Sequence, residues 1–400
     1  MDLIKISVLG DIMCEPRLLK VSRLVRNQYD FSGVFQNMKL LLDESDYVVG
    51  NLETPLAGEE AGYVHSLFSF NAPDAFAQAA KNGGVDLLLT ANNHCLDRGV
   101  SGLKRTVSVL DAHAIPHAGT FGDAEDRGNT YIRIGERTFA FISYTYGTNF
   151  SANHLLLSDK DSGLVNLLRP QNESYFIQKA VKQSLPKRAF SRFLRLFPSE
   201  RRYYIRKFLG MTVNSAHADD NLIPETMQPY LDQLLADIEH AKKNADFVLF
   251  CPHIGGQFNE VPGAVSRYVF DFACKSGVDA IIASHAHVVQ EVEMNGSIPC
   301  FYSLGNFSMS PNSVYLLHEN LPDYGIAAHF YIRENGIEKT TFSILHIVEK
   351  DILTVYPVDT YFAQCSENEK DQVCRSVCRI YRTVTGRELQ GDLIRREYEL

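Results

Sequence analysis

The chain has 400 residues, of which 45% are hydrophobic and 22% are charged. This balance is typical of a folded globular protein and excludes a chain that is disordered over most of its length. The formal net charge of −9 argues against a nucleic-acid binder, because such proteins carry a basic excess that contacts the phosphates.

The N-terminal sequence "MDLIKISVLGD" begins directly on a strand pattern. A secretory signal would instead need a basic stretch, an apolar core and a cleavage site of small residues. No run of 18 apolar residues follows, so we expect no transmembrane helix. These features favour a cytoplasmic protein, with attachment to the periphery of a membrane as an alternative.

Residues 1–150 alternate between strand-like and helix-like segments. The strand patterns are "IKISVLG", "YVVGNL", "VDLLLTAN" and "RTFAFISYT". The helical patterns are "APDAFAQAAKNG", which we expect to begin near Asn71 and end at Gly83, and "GLKRTVSVLDAHA". Such alternation predicts an α/β fold.

Polar loops at about 151–222 interrupt this alternation as an insertion. A long amphipathic helix, "PETMQPYLDQLLADIEHAKKNA", follows, and the alternation then resumes from "DFVLFCPH" to "IPCFYSLGNF". We therefore predict one domain over residues 1–335. Short strands and a charged helix at 336–400 are expected to pack on the same domain.

The insertion contains a basic segment, residues 179–207, with ten Lys or Arg residues and one acid, Glu200. Phenylalanines and leucines are interleaved with the basic residues. One interpretation is a solvated helical hairpin that is broken at Pro198. The alternative is a surface that binds an anionic lipid membrane or polymer.

Eight cysteines are scattered along the chain without paired spacing. This distribution favours reduced thiols in a cytosolic protein over a disulfide framework. Cys374 and Cys378 lie one helical turn apart, but no second pair of Cys or His follows them in the tail. We therefore interpret them as helix-packing residues rather than metal ligands.

Polar residues of the kinds that bind metals or phosphates follow five of the strand patterns. They are Asp11, Asn51 with Glu53, Asn92 with Asn93 and His94, His253, and His285 with His287. In an open α/β sheet, ligands bind beyond the carboxyl ends of the strands, so we expect these residues to converge on one crevice. The alternating backbone of a strand end would point the rings of His285 and His287 the same way. This mixture of carboxylate, amide and imidazole groups suits a divalent metal.

The motifs "GDIM", "NLETPL", "NNHCLDRG", "HIGGQ", "SHAHV" and "SLGNF" occur in this order over residues 10–307. In this respect the chain resembles the bacterial capsule-synthesis (CapA-like, poly-γ-glutamate) family of the calcineurin-like metallophosphoesterase superfamily. The resemblance implies a four-layer α/β/β/α sandwich with an inserted helical segment and a metal site at one edge.

The resemblance also implies the roles of individual residues. His94 would be the catalytic proton donor to a leaving oxygen. Residues implied as metal ligands are Asp11, Glu53, Asn93, His253, His285 and His287. Residues predicted to contact substrate are Asn51, Asn92, Gln257 and Asn306. The cofactors would be divalent ions such as Mn, Zn or Fe, which activate water and polarise a phosphoryl oxygen.

Two positions depart from the pattern that the resemblance sets. Met13 stands where superfamily phosphoesterases usually have a histidine ligand, and a thioether is a poor ligand for such metals. We therefore expect one tight site, formed by Glu53, Asn93, His253 and His285, and one weak site, formed by Asp11, Glu53 and His287. Gln257 stands where the family usually has a glutamate, and it cannot transfer a proton.

Three functions remain open at this point. The first is a metal-dependent hydrolase or transferase of capsule or poly-γ-glutamate synthesis, which acts on an anionic polymer or a phosphorylated intermediate. The second is a non-catalytic, metal-binding assembly subunit of a polymer-synthesis complex. The third is a cytosolic metal-dependent phosphodiesterase. The partners would be an anionic polymer or a phosphorylated small molecule, and no nucleic acid.

Overall fold

The computed structural model describes residues 3–25, 28–63, 68–172, 219–314 and 316–400, with isolated positions between 173 and 218. Most of the basic segment at 179–207 lies outside the described residues, so its hairpin and its binding surface stay predictions. Within the described ranges, no helix is both long and apolar enough to cross a membrane.

The strands follow the alternating apolar patterns of the sequence. They are β1 (Ile4–Ile12), β2 (Tyr47–Leu52), β3 (Leu87–Leu89), β4 (His117–Ala118), β5 (Thr130–Ile134), β6 (Arg137–Thr145), β7 (Phe247–His253), β8 (Ala280–Ile282), β9 (Val292–Asn295), β10 (Ile298–Phe301), β11 (Tyr324–Arg333), β12 (Gly336–Glu349), β13 (Leu353–Pro357) and β14 (Tyr398–Glu399).

The α-helices of the described ranges lie between these strands and at both ends of the insertion. They are α1 (Pro16–Val21), α2 (Ser32–Phe35), α3 (Lys39–Leu42), α4 (Ala75–Asn82), α5 (Gly99–Ala112), α6 (Phe150–Asn153), α7 (Pro224–Asn244), α8 (Ala264–Ser276), α9 (Val358–Gln364) and α10 (Glu367–Thr385).

The strands form two sheets. The first has the order β13-β12-β11-β1-β2-β3-β4, with β14 paired to β12, and the second has the order β5-β6-β7-β8-β10-β9. Strands β1 to β4 are parallel, as are β6, β7, β8 and β10. In each sheet the parallel strands therefore end at the same edge.

Alternating side chains place each sheet between two apolar layers. Val49 and Phe141 belong to the cluster between the sheets, whereas Val48 packs against helices α1 to α5 on the outer face of the first sheet. Ile142 packs with helices α7 and α8 on the outer face of the second sheet. The order of layers is α/β/β/α, and this confirms the fold that the resemblance implied.

Three local predictions differ from the structure. Helix α4 begins at Ala75 and not near Asn71, because the side-chain oxygen of Asn71 accepts a hydrogen bond from the amide of Ala57 at 2.7 Å. The strands after residue 335 include one of 14 residues, Gly336–Glu349, instead of short strands only. The third difference, at His285 and His287, concerns the candidate site.

The first part of the insertion, residues 164–168, is bonded to the carboxyl ends of β4 and β6. The amide of Asn166 donates to the carbonyl of Gly119 at 3.1 Å, and the amide of Thr145 donates to the carbonyl of Asn166 at 2.9 Å. Leu168 in turn donates to the carbonyl of Thr145 at 2.9 Å. This segment therefore lies fixed beside the edge where the polar residues converge.

Candidate metal centre

Both sheets deliver polar side chains to one place. Asp11 lies within β1 and pairs with Asn51 of β2, and it also forms a bridge with Asn306. His253 is the last residue of β7 and forms a bridge with Ser284, which follows β8. The predicted convergence beyond the strand ends is therefore what the structure has, although Asp11, Asn51 and His253 still belong to their strands.

His285 and His287 face the same cluster for a different reason from the one predicted. Strand β8 ends at Ile282, and both histidines lie in the following loop with positive φ angles of 113° and 58°. Such angles are uncommon for residues with a Cβ atom and occur at functional sites. The expectation of an alternating strand end at these residues is wrong, because the backbone is not extended there.

Four of the predicted ligands surround one point. The Nε2 atom of His253 lies 2.8 Å from Oδ1 of Asn93, 3.4 Å from Oε1 of Glu53 and 3.1 Å from Nδ1 of His285. Ligand atoms that share one metal at about 2.1 Å are roughly 3 to 3.5 Å apart. Two of these three distances fall within that range, and Glu53, His253 and His285 form a group that could hold a metal ion.

A second group shares the same glutamate. Oδ2 of Asp11 lies 3.2 Å from Nδ1 of His287, and Nε2 of His287 lies 3.7 Å from Oε1 of Glu53. Over the described ranges, the groups of at least three His, Cys, Asp or Glu residues able to hold a metal are this one and Glu53 with His253 and His285. Neither includes Cys374 or Cys378, whose thiols are half-buried on α10.

The surroundings of the Glu53 carboxyl group indicate whether a cation fits between these residues. It is completely buried, and neither of its oxygens has a hydrogen-bond partner. Burial, followed by the negative charge of Asp11, raises the pKa of Glu53 well above its usual range. A buried carboxylate without partners costs several kcal/mol. A divalent cation between the two groups would supply the missing partner, so these residues fit a metal.

His253 and His285 are in the neutral form that binds metals. Burial lowers the pKa of His253 to about 3, and burial together with the neighbouring rings lowers the pKa of His285 well below its usual range. Burial alone would raise the pKa of Asp11, but the hydrogen bond and charge of His287 outweigh it and lower that pKa. Neutral imidazoles beside an ionised carboxylate are a typical ligand set for divalent metals.

His94 lies next to this cluster in a defined orientation. Its Nδ1 atom is 2.7 Å from Oδ2 of Asp97, and its Nε2 atom is 3.9 Å from Oε1 of Glu53. The same Asp97 oxygen accepts a hydrogen bond from the amide of Phe70, whose ring centroid lies 4.2 Å from that of His94. Asp97 was missed in the sequence, where the His-x-x-Asp spacing of "HCLD" was the available signal.

The three asparagines predicted to contact substrate bond to protein groups. Asn51 donates to Oδ1 of Asp11 at 2.7 Å, and Asn92 donates to the carbonyl of Leu52 at 2.7 Å. Oδ1 of Asn306 lies 2.9 Å from Nδ1 of His287. These bonds connect the asparagines to Asp11, to the end of β2 and to His287, and their contact with a substrate stays a prediction.

Met13, which departs from the superfamily pattern, and Gln257, which departs from the family pattern, have different surroundings. The Met13 side chain is buried in an apolar cluster that includes Phe70, Phe258 and Met309. This position therefore offers the metal centre no nitrogen or oxygen atom. Gln257 lies half-buried in the loop after β7, beside the candidate site in sequence.

Sequence reasoning also missed the loop that follows β6. The ring of Tyr146 lies 4.5 Å from that of His285, and Nε of the buried Arg169 donates to the carbonyl of Tyr146 at 3.2 Å. Asn149 contacts both Asn93 and His94. Tyr146 and Asn149 follow the carboxyl end of β6 and Arg169 lies in the insertion, but none of them belongs to a motif that the sequence analysis identified.

Comparison with known proteins gives a family match. The model of the family described as "Bacterial capsule synthesis protein PGA_cap" matches residues 5–310. The PGA biosynthesis protein CapA of Bacillus subtilis (strain 168) is 23% identical over 312 residues, which cover 76% of this chain and 63% of that protein. The capsule biosynthesis protein CapA of Bacillus anthracis is 22% identical over 334 residues, which cover 82% of this chain and 64% of that protein.

This chain therefore spans less than two thirds of the length of these relatives. Among solved structures, a hypothetical protein from Thermus thermophilus is similar with a TM-score of 0.38 and 13% sequence identity. That comparison covers 88% of this chain and 98% of the Thermus chain.

Proposed function

Because this chain belongs to the bacterial capsule synthesis protein family, we propose that it serves capsule or poly-γ-glutamate biosynthesis as a metal-dependent hydrolase or transferase. Its substrate would be an anionic polymer or a phosphorylated intermediate. The B. subtilis and B. anthracis relatives named for PGA and capsule biosynthesis support the pathway. The arrangement of the buried ligands supports the chemistry.

The environment of Glu53 carries this proposal. Its two carboxyl oxygens have no hydrogen-bond partner, and Nε2 atoms of three histidines lie between 3.4 and 3.9 Å from Oε1. A hydrogen-bonded structural core would pair such oxygens with N–H or O–H donors. This arrangement favours a metal centre over a polar core.

Two groups of residues would each bind one metal ion. Glu53, Asn93, His253 and His285 would hold one metal, and Asp11 and His287 would hold a second together with Glu53. When bound, the metals would supply an activated water and a positive charge for the phosphoryl or acyl oxygens of the substrate. Manganese, zinc and iron all accept these ligand types.

His94 would handle the proton. Asp97 accepts the Nδ1–H of His94, and this leaves Nε2 directed toward the cluster. The carboxylate stabilises positive charge on the ring, as the aspartate of a catalytic triad does. His94 can then donate the Nε2 proton to the leaving oxygen of a substrate that lies over the cluster.

A second candidate function is a metal-binding assembly subunit without catalysis. Two observations favour it: Met13 is buried in an apolar cluster, and Gln257 offers no group that can transfer a proton. In this case the metal would stabilise the fold while a partner protein performs the chemistry.

The test is metal analysis of the purified protein, combined with assays of phosphomonoesters, phosphodiesters and γ-glutamyl amides in added Mn²⁺ or Zn²⁺. Turnover on γ-glutamyl amides or phosphomonoesters supports the first function. Bound metal without turnover supports the assembly subunit. Turnover on phosphodiesters alone would favour a metal-dependent phosphodiesterase outside capsule synthesis.

We expect His94→Ala to abolish turnover while metal content stays close to that of the wild type. His94 would contact the leaving group and not the metals, and loss of a general acid typically costs about 10²- to 10⁴-fold in rate. His253→Ala is the matched control, because it should remove metal as well as activity. An unchanged rate in the His94 variant of an active preparation would refute the proton-donor role.

A further inference from the structure

Asn149 follows β6 and stands directly before the short helix α6, Phe150–Asn153. Its backbone is left-handed, with φ 55° and ψ 33°. An asparagine in this position commonly caps the helix with its side chain, but the Asn149 side chain makes no capping hydrogen bond. The side chain is therefore available for contacts elsewhere.

Those contacts are with the candidate metal centre. Oδ1 of Asn149 accepts a hydrogen bond from Nδ2 of Asn93 at 3.0 Å. Nδ2 of Asn149 lies 3.1 Å from Nδ1 and 3.4 Å from Nε2 of His94, so the amide rests against the imidazole ring. One half-buried side chain thus contacts a predicted ligand and the predicted proton donor.

The hydrogen bond between Asn149 and Asn93 determines whether the oxygen or the nitrogen of the Asn93 side-chain amide faces the candidate metal position. An asparagine side chain has an oxygen that can bind a metal and a similarly shaped NH₂ group that cannot. Asn149 engages the NH₂ group, and this directs Oδ1 toward Nε2 of His253, 2.8 Å away.

We propose that Asn149 is a positioning residue of the metal centre, which holds the amide of Asn93 with its oxygen toward the metal and restrains the ring of His94. This inference rests on the proposed function, because it requires a metal beside Asn93. Residues that orient metal ligands in this way typically contribute about 10- to 100-fold to metal affinity.

The same loop offers a matched control in Asn153. Its side chain donates to the carbonyl of Thr148 at 2.7 Å and accepts from the amide of Leu155 at 2.9 Å. These bonds anchor the loop, and they involve none of the predicted metal ligands. A substitution at Asn153 therefore tests loop order without removing the contact with Asn93.

The experiment is calorimetric titration of the metal-stripped full chain with Mn²⁺. We expect Asn149→Gly, which tolerates the left-handed backbone, to weaken the tighter Mn²⁺ site by about tenfold or more. Asn149→Asp keeps an oxygen acceptor for Asn93 and should restore the affinity to within a few-fold of the wild type. Asn153→Ala should leave the affinity unchanged.

Three results would overturn the inference while the metal centre stands: equal affinity of the Asn149→Gly variant and the wild type, no recovery with Asn149→Asp, or an equal loss with Asn153→Ala. Absence of Mn²⁺ binding to the wild-type chain would overturn both the inference and the proposed function. The two failures are therefore distinguishable in one set of titrations.

Discussion

Met13 is the residue on which the expected inequality of the two candidate metal sites depends. Its side chain lies in an apolar cluster with Phe70 and Phe258, although its backbone amide and carbonyl both bond to the hydroxyl of Ser308. The group of Asp11, Glu53 and His287 would therefore have three protein ligands, whereas the other group would gain Asn93 as a fourth. The three-ligand site is expected to be the weaker one.

We predict that Met13→His tightens the weaker site by at least about tenfold, which corresponds to about 1.4 kcal/mol, without disturbing the tighter site. The apolar surroundings would keep the new imidazole neutral, and this is the form that binds metals. Titration with Mn²⁺ measures both affinities, and Met13→Leu serves as the control that adds no ligand. Two equally tight sites in the unmodified protein would contradict the assignment of ligands.

The positions of single residues at the candidate site were predictable from the sequence only where a motif marked them. His94 and Asn93 stand out in "NNH" because they follow a strand, and the structure brings both to the cluster. Asp97 and Asn149 lie within hydrogen-bonding distance of these residues, and such contacts depend on side-chain directions that a linear pattern does not contain. The resemblance alone supplied the individual ligand roles.

At the level of elements, a buried carboxylate anchors the end of the insertion to the rest of the domain. Asp219 lies just before α7 and accepts hydrogen bonds from the amides of Gly263 and Ser266 at the first turn of α8. Gly263 stands at the N-cap and has no side chain that could cap this helix. Asp219 therefore caps α8 from a distant part of the chain and fixes the end of the insertion.

We expect Asp219→Ala to lower the free energy of unfolding by about 2 kcal/mol, because the amides at the start of α8 lose an ionised acceptor. Urea unfolding followed by circular dichroism measures this change. The exposed neighbour Asp220 provides the control, and its replacement by Ala should change stability by less than about 0.5 kcal/mol. Equal effects of the two substitutions would show that Asp219 does not cap the helix.

The first sheet contains a buried histidine remote from the metal centre. His329 of β11 lies between the hydroxyls of Ser7 and Ser343, at 2.6 and 2.9 Å, and burial lowers its pKa from 6.5 to about 3. Between these two pH values the unfolded chain binds a proton that the folded chain does not bind. His329 therefore removes stability as the pH falls below 6.5.

From pH 7.5 to pH 5 we expect the wild type to lose about 2 kcal/mol more unfolding free energy than the His329→Asn variant. Both proteins share every other titrating group, so the difference between the two pH profiles isolates His329. Urea unfolding at the two pH values measures it. Parallel profiles would mean that this imidazole is not buried in its neutral form.

Long or irregular elements were the least predictable from the sequence. Strand β12 begins with the run "GIEKTT", whose residues are exposed or half-buried up to the buried Thr341, and it continues as the apolar run "FSILHIV" inside the sandwich. The change of surroundings along one strand breaks the alternating pattern, so the sequence indicated only short strands. Helix α7, in contrast, has a regular apolar periodicity and was predicted close to its observed bounds, and the charged helix predicted within residues 336–400 is α10.

For the whole molecule, strand–helix alternation predicted an α/β fold and convergence of polar residues at strand ends. It did not predict that the strands divide into two sheets, because the pairing of strands is decided by contacts between residues that are distant in the sequence. The division matters for the site: Asp11 and Glu53 come from the first sheet, whereas His253 and His285 come from the second. A metal would therefore link the two halves of the sandwich.

Crystals of the full chain grown with Mn²⁺ and measured by anomalous diffraction at the manganese edge test this account most directly. We predict an anomalous peak bounded by Glu53, Asn93, His253 and His285, with a weaker peak beside Asp11 and His287 at higher Mn²⁺ concentration. Crystals that contain no anomalous peak at these side chains, or a peak only at other residues, would contradict the metal centre.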